Sequence, residues 1–207
     1  MQALPHKEHT EKPAIGAWLL LLLAVNASLL YADTPATGLM FSVADIGDGQ
    51  WWRILTWPFV HVSRYHLLLD GCAFLLLYSG LEASGKTRAF YFFGAAFGSL
   101  LLPLAVSPEI IETGLCGLSG PAHGLLGIQA LELSAKPRNR KLGLFLLFGL
   151  LGKCGWELAT GQAFLQGVHL GDIGHPVVAT HAGGVLGSIV AFAGKGVAAC
   201  ATKTRAA

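Results

Sequence analysis

Cys-Gly-Leu-Ser-Gly-Pro-Ala-His, residues 116–123, opens an apolar run that ends at Leu131, just before Glu132 and a basic stretch. Ser119 to Leu131 is 13 residues. As a helix rising about 1.5 Å per residue it would span roughly 20 Å, short of the roughly 30 Å hydrocarbon core of a bilayer. If such a helix ends at one membrane face, its start lies inside the membrane. The Ser119 hydroxyl, flanked by Gly117 and Gly120, is then sunk below the headgroups.

The composition supplies the membrane. Of 207 residues 53% are hydrophobic and only 13% charged, with mean hydropathy +0.57, too little charge to cover a soluble domain. Uncharged stretches at 13–32, 67–69 then 71–81, 89–108, 113–131, 142–152 and 173–194 read as six transmembrane helices in an all-α, single-domain bundle over residues 1–207. With six crossings, 11 of the 14 basic residues fall on one side, including Lys7, Lys12, Lys86, Arg88, Lys136, Arg138 and Lys203. The positive-inside rule then makes 1–13 and 196–207 cytoplasmic tails. Helix 1 is too long for a signal-peptide core, so it is expected to be retained.

Taken in order, the loop at 33–60 carries Gln50-Trp-Trp-Arg-Ile-Leu-Thr-Trp57. Trp51 and Trp57 read as an interfacial belt, with Arg53 reaching for headgroups. His66 and Asp70, four apart, share one face of helix 2, with His61 a further turn back near the interface. An aspartate in a membrane helix is a candidate for function by default. Gly94 and Gly98 give helix 3 a small-residue packing face, and Glu82 with Lys86 reads as a solvated pair. Ser119 and His123 share one face of helix 4. Lys153 and Glu157 read as a mutually neutralising pair at the outer interface. Helix 6 carries His181-Ala-Gly-Gly184. The four cysteines lack a Cys-x-x-Cys pair and read as small buried hydrophobes, with a Cys116–Cys154 bridge disfavoured.

With the N-terminus inside, helices 2, 4 and 6 all enter from the outer face, and His66, Asp70, Ser119 and His181 lie near their starts. A serine beside a histidine is the minimum unit for nucleophilic acyl transfer. The free amides at the start of helix 4 could hold an oxyanion. No carboxylate is in sequence reach of His181, so a dyad is expected rather than a triad.

Trp52-Arg53, His61-x4-His66-x3-Asp70, Gly117-Leu-Ser119-Gly120 and His181-x-x-Gly184, in this order on six helices, resemble the rhomboid family of intramembrane serine proteases. The resemblance implies Ser119 as nucleophile, His181 as general base, and His66, the residue at 70 and the Ser119 amide as oxyanion hole. His61, Gly117, Gly120, His123 and Gly184 would support the site, and no cofactor or metal is implied. Three positions depart from the family pattern: Asp70 stands where Asn is usual, Gln50 where a Glu often precedes Trp-Arg, and His123 where a tyrosine commonly stacks on the helix-6 histidine. Asp70 must either stay protonated and donate, or orient His66. The run Cys116 to Leu125 resembles the rhombosortase subgroup. That implies a bacterial inner-membrane enzyme, open to the periplasm, which cleaves membrane-anchored substrates bearing a C-terminal Gly-Gly tail; the partners are these substrates and lipid, not nucleic acid. Two other readings share the residues: a non-catalytic rhomboid-like adaptor, and a metal-binding membrane protein using His61, His66, Asp70, His123 and His181.

Overall fold

Apolar runs broken by Gly, Pro and short polar segments leave helix as the only way to pair the backbone within each run. A computed structural model describes residues 14–164, 166–168 and 170–205; the expected tail at 1–13 lies outside them. Among the described residues there are ten α-helices and no strand, only an antiparallel bridge between Phe41 and Leu115. The helices are α1 (Ile15–Val25), α2 (Ala27–Ala32), α3 (Val43–Gly47), α4 (Arg53–Thr56), α5 (Arg64–Gly80), α6 (Gly85–Val106), α7 (Ile110–Thr113), α8 (Ser119–Ser134), α9 (Arg140–Thr160) and α10 (Ala179–Arg205). Two of them, α6 and α9, are long and apolar enough to cross a membrane. Residues 196–205, expected as tail, continue α10.

Local chemistry sets the ends. Ser63 Oγ accepts from the His66 amide at 3.0 Å and starts α5, the capping role that serine fills well. Gly161 ends α9 in the left-handed region at φ 69°. Between α1 and α2 the buried Asn26 donates from Nδ2 to the carbonyls of Leu22 and Phe59, both at 2.8 Å, and accepts from the His61 amide at 3.0 Å. One side chain thus ties the first helix to the segment that leads into α5.

α8 lies at the centre, packed by α5, α6, α9 and α10. The close approaches use glycine. A Cβ added at Gly98 would stand 2.2 Å from the Gly183 carbonyl oxygen, and one at Gly187 would stand 2.1 Å from that of Gly94, so α6 and α10 touch backbone to backbone, as small-residue faces allow. An aromatic cluster of Trp18, Phe59, Phe74, Tyr78 and Phe92 fills the space between α1, α5 and α6.

The loop at 33–60 differs from the interfacial belt expected of it. Trp51 is exposed, but Trp57 is 2% exposed and packs with Phe41, Leu100 and Ile110. Arg53 does not reach outward. It is buried, donates to the carbonyls of Thr37 (2.7 Å) and Met40 (2.8 Å), forks onto Gln50 Oε1 (2.9 and 2.8 Å) and pairs with Asp45 at 3.2 Å. A guanidinium with five donors satisfies several loop acceptors at once. His61, expected near the interface, is fully buried. Glu82 pairs with Lys136 from beyond α8, and its amide donates to Glu132 at 3.1 Å; through-space proximity replaces the expected pairing with Lys86.

Candidate active site

Leu115 to Leu118 runs in extended and turn conformations into α8. The Phe41–Leu115 bridge (2.9 and 3.1 Å) and a hydrogen bond from the Gly117 amide to the Trp57 carbonyl (3.2 Å) fix that entry. Gly117 has φ +98°, and a Cβ there would meet His66 Nε2 at 2.8 Å and Asp70 Oδ2 at 2.9 Å. Only glycine fits such a turn without strain. His66 and Asp70 are thereby held two residues ahead of Ser119. Asp70 Oδ2 stands 3.1 Å from His66 Nε2 and 3.7 Å from His61 Nε2, all three side chains being buried.

Ser119 is the first residue of α8, where amides have no intrahelical acceptor. Its Oγ lies 3.3 Å from His181 Nε2 on α10. The imidazole of His123 lies over that of His181, with centroids 4.0 Å apart and planes 17° from parallel, while its Nδ1 bonds the Ser119 carbonyl at 2.7 Å. That carbonyl accepts, so His123 Nδ1 carries the proton. α8 and α10 come this close because glycines face the contact: a Cβ at Gly184 would lie 2.0 Å from the Gly120 carbonyl oxygen, and one at Gly120 would lie 2.9 Å from the Thr180 carbonyl oxygen.

The expectation that no carboxylate meets His181 is wrong. Glu157 Oε2, on α9, is 2.8 Å from His181 Nδ1. Its other oxygen, Oε1, accepts from Lys153 Nζ at 2.7 Å and from the Phe164 amide at 2.9 Å. The Glu157 side chain is 1% exposed, so the Lys153–Glu157 pair is no surface pair. Lys153 Nζ also stands 3.2 Å from His181 Nδ1. A nitrogen donating its proton to Glu157 cannot also accept from an ammonium, so the carboxylate contact, shorter by 0.4 Å, is the hydrogen bond. The uncharged run ends at Gly152, which is why Glu157 reads from sequence as an interface residue. The available signal was that residues 142–160 are uncharged apart from Lys153 and Glu157, which sets the carboxylate in an otherwise uncharged helix where it needs buried partners.

These groups line a cavity of about 360 Å³ walled by apolar side chains including Leu69, Leu115, Phe164, Ile173 and Val177. His66, Asp70, Ser119, His123, Lys153, Glu157 and His181 all reach it, whereas His61 is not among its lining residues. Among the described residues no group of three or more His, Cys, Asp or Glu side chains is placed to hold a metal ion. Cys72, Cys116 and Cys154 are free thiols. The arrangement can do one kind of chemistry well: an imidazole with a fixed tautomer removing the proton of a hydroxyl at a helix N-terminus.

A family model described as Rhomboid domain matches residues 48–195. A curated protein of Bacillus subtilis (strain 168), named "Putative rhomboid protease YdcA", is 28% identical over 141 residues, covering 65% of this chain and 68% of that protein. No solved structure matches significantly.

Proposed function

The chain belongs to the rhomboid family, whose members are intramembrane serine proteases, and on that premise we propose that it is a serine endopeptidase with Ser119 as nucleophile and His181 as general base. The 3.3 Å approach of Ser119 Oγ to His181 Nε2 inside a cavity carries this reading. Nε2 takes the hydroxyl proton as Oγ attacks the scissile carbonyl. The oxyanion forms beside the Ser119 amide, with His66 as a further donor and Asp70 holding its ring. His181 then returns the proton to the leaving amine, and water repeats the sequence on the acyl-enzyme. His123 keeps the His181 ring in plane by stacking, in the place of the family's tyrosine.

We propose that α1–α2, α5, α6, α8, α9 and α10 make six crossings of a bacterial inner membrane as one domain, with the termini cytoplasmic and the cavity open to the periplasm. The excess of Lys and Arg around 86–88, 136–141 and 195–205 supports that orientation. Ser119, at the start of α8 in the cavity wall, suits substrates whose single span unwinds near its outer end. On the resemblance of residues 116–125 we take the chain to be a rhombosortase that processes C-terminal Gly-Gly sorting tails. The test is co-expression with a Gly-Gly-tailed reporter, followed by mass spectrometry of the product's C-terminus. A defined truncation with wild type and none with Ser119→Ala is expected. Full-length reporter in both would overturn the substrate assignment.

A further inference from the structure

We infer that Glu157 is a positioning residue that completes a Ser119–His181–Glu157 triad, with Lys153 and the Phe164 amide clamping its carboxylate. The inference rests on the protease reading above and deepens it.

Burial alone does not explain the geometry. A carboxylate this enclosed needs a countercharge, and Lys153 four residues earlier provides one at 2.7 Å. A pair serving only neutrality could satisfy both oxygens with Lys153. Instead both outside donors, Lys153 Nζ and the Phe164 amide, converge on Oε1, and Oε2 is left for His181 Nδ1 at 2.8 Å. The two oxygens have separate tasks.

The chemical consequence follows from the tautomer. With Nδ1–H donated to Oε2, the lone pair at Nε2 faces Ser119 Oγ, as a general base requires. When Nε2 accepts the serine proton, the imidazolium lies between the Lys153 ammonium, 3.2 Å from Nδ1, and the forming oxyanion. Without Glu157 the adjacent ammonium would oppose that charge. Glu157 stays ionised throughout, no proton passes to it, and Nδ1 keeps its hydrogen in every step.

A structural role is the competing account, since Glu157 also anchors the segment after α9 through Phe164. Glu157→Gln separates the two. Its amide oxygen is pinned at the Oε1 position by two donors, so the anchor survives. Its NH2 group then faces His181 Nδ1, which must accept; the ring flips to the tautomer with Nε2–H toward Ser119 and the base is lost. In purified protein cleaving a transmembrane reporter, Glu157→Gln is expected to lower kcat by roughly 100-fold or more with KM within about twofold. Labelling of Ser119 by a fluorophosphonate should slow in parallel, and the melting temperature should stay near wild type. A second comparison guards against misfolding: in a His181→Ala background, Glu157→Gln should leave the residual labelling rate unchanged, because Glu157 acts only through that ring. Wild-type kcat in a folded Glu157→Gln protein, or equal losses in both backgrounds, would overturn the triad and leave the Ser119–His181 reading intact. A wild type that neither cleaves nor labels would overturn the protease reading itself.

Discussion

Gly184→Ala adds one methyl group at the contact that holds the Ser119 and His181 side chains together. Gly184 is one turn after His181 on α10, and its partner, the Gly120 carbonyl, is one residue after Ser119 on α8. The new Cβ would lie 2.0 Å from that oxygen and 2.7 Å from its carbon, against 3.4 Å for ordinary contact. Neither neighbour is a flexible side-chain end, so the helices must part by about 1.4 Å, because a packed interior has no slack to absorb it. Carried along the line between the two side chains, that movement takes the 3.3 Å Ser119–His181 approach to about 4.7 Å, well beyond hydrogen-bond distance. Overpacking of this kind costs about 1–3 kcal/mol of stability, and a misplacement of ~1 Å costs about 100-fold in rate. The assay is the second-order rate of Ser119 labelling by a fluorophosphonate, with thermal melting run beside it. A rate within twofold of wild type in a folded Gly184→Ala protein would refute the argument that backbone contact between α8 and α10 sets the site.

Asp70→Asn should retain reporter cleavage, since an amide keeps both a donor and an acceptor beside His66, while Asp70→Leu should lose it; abolished cleavage in a folded Asp70→Asn protein would show that the negative charge is needed. Arg53→Ala should lower stability by about 2 kcal/mol or more by stripping the Thr37 and Met40 carbonyls of their partner, which thermal or denaturant melting would detect, and an unchanged midpoint would mean that loop contributes nothing to the fold.

The sequence carried its helices in plain form, because each is an apolar run with polar breaks, and six helical regions lie over the six uncharged stretches. Ser119 was legible because a hydroxyl between glycines at the start of a short apolar helix has few structural uses. His181 stood out because it lies near the start of its apolar stretch, as His66, Asp70 and Ser119 do in theirs. What the sequence hid was pairing between elements. Glu157 and His181 are 24 residues apart on helices that meet only through packing, so nothing in the spacing links them. The burial of Trp57 and Arg53 was hidden for a similar reason: an aromatic, cationic loop looks the same in sequence whether it lies along lipid or folds back on Phe41 and Leu115. Glu82 found Lys136 rather than Lys86 because the ends of α5 and α8 adjoin in space.

The most direct test is to treat the purified, folded protein with a fluorophosphonate and map the adduct by peptide mass spectrometry, alongside His181→Ala. The geometry predicts one adduct, on Ser119, formed far more slowly without the histidine. An unlabelled Ser119 in folded wild type, or labelling indifferent to His181, would contradict it.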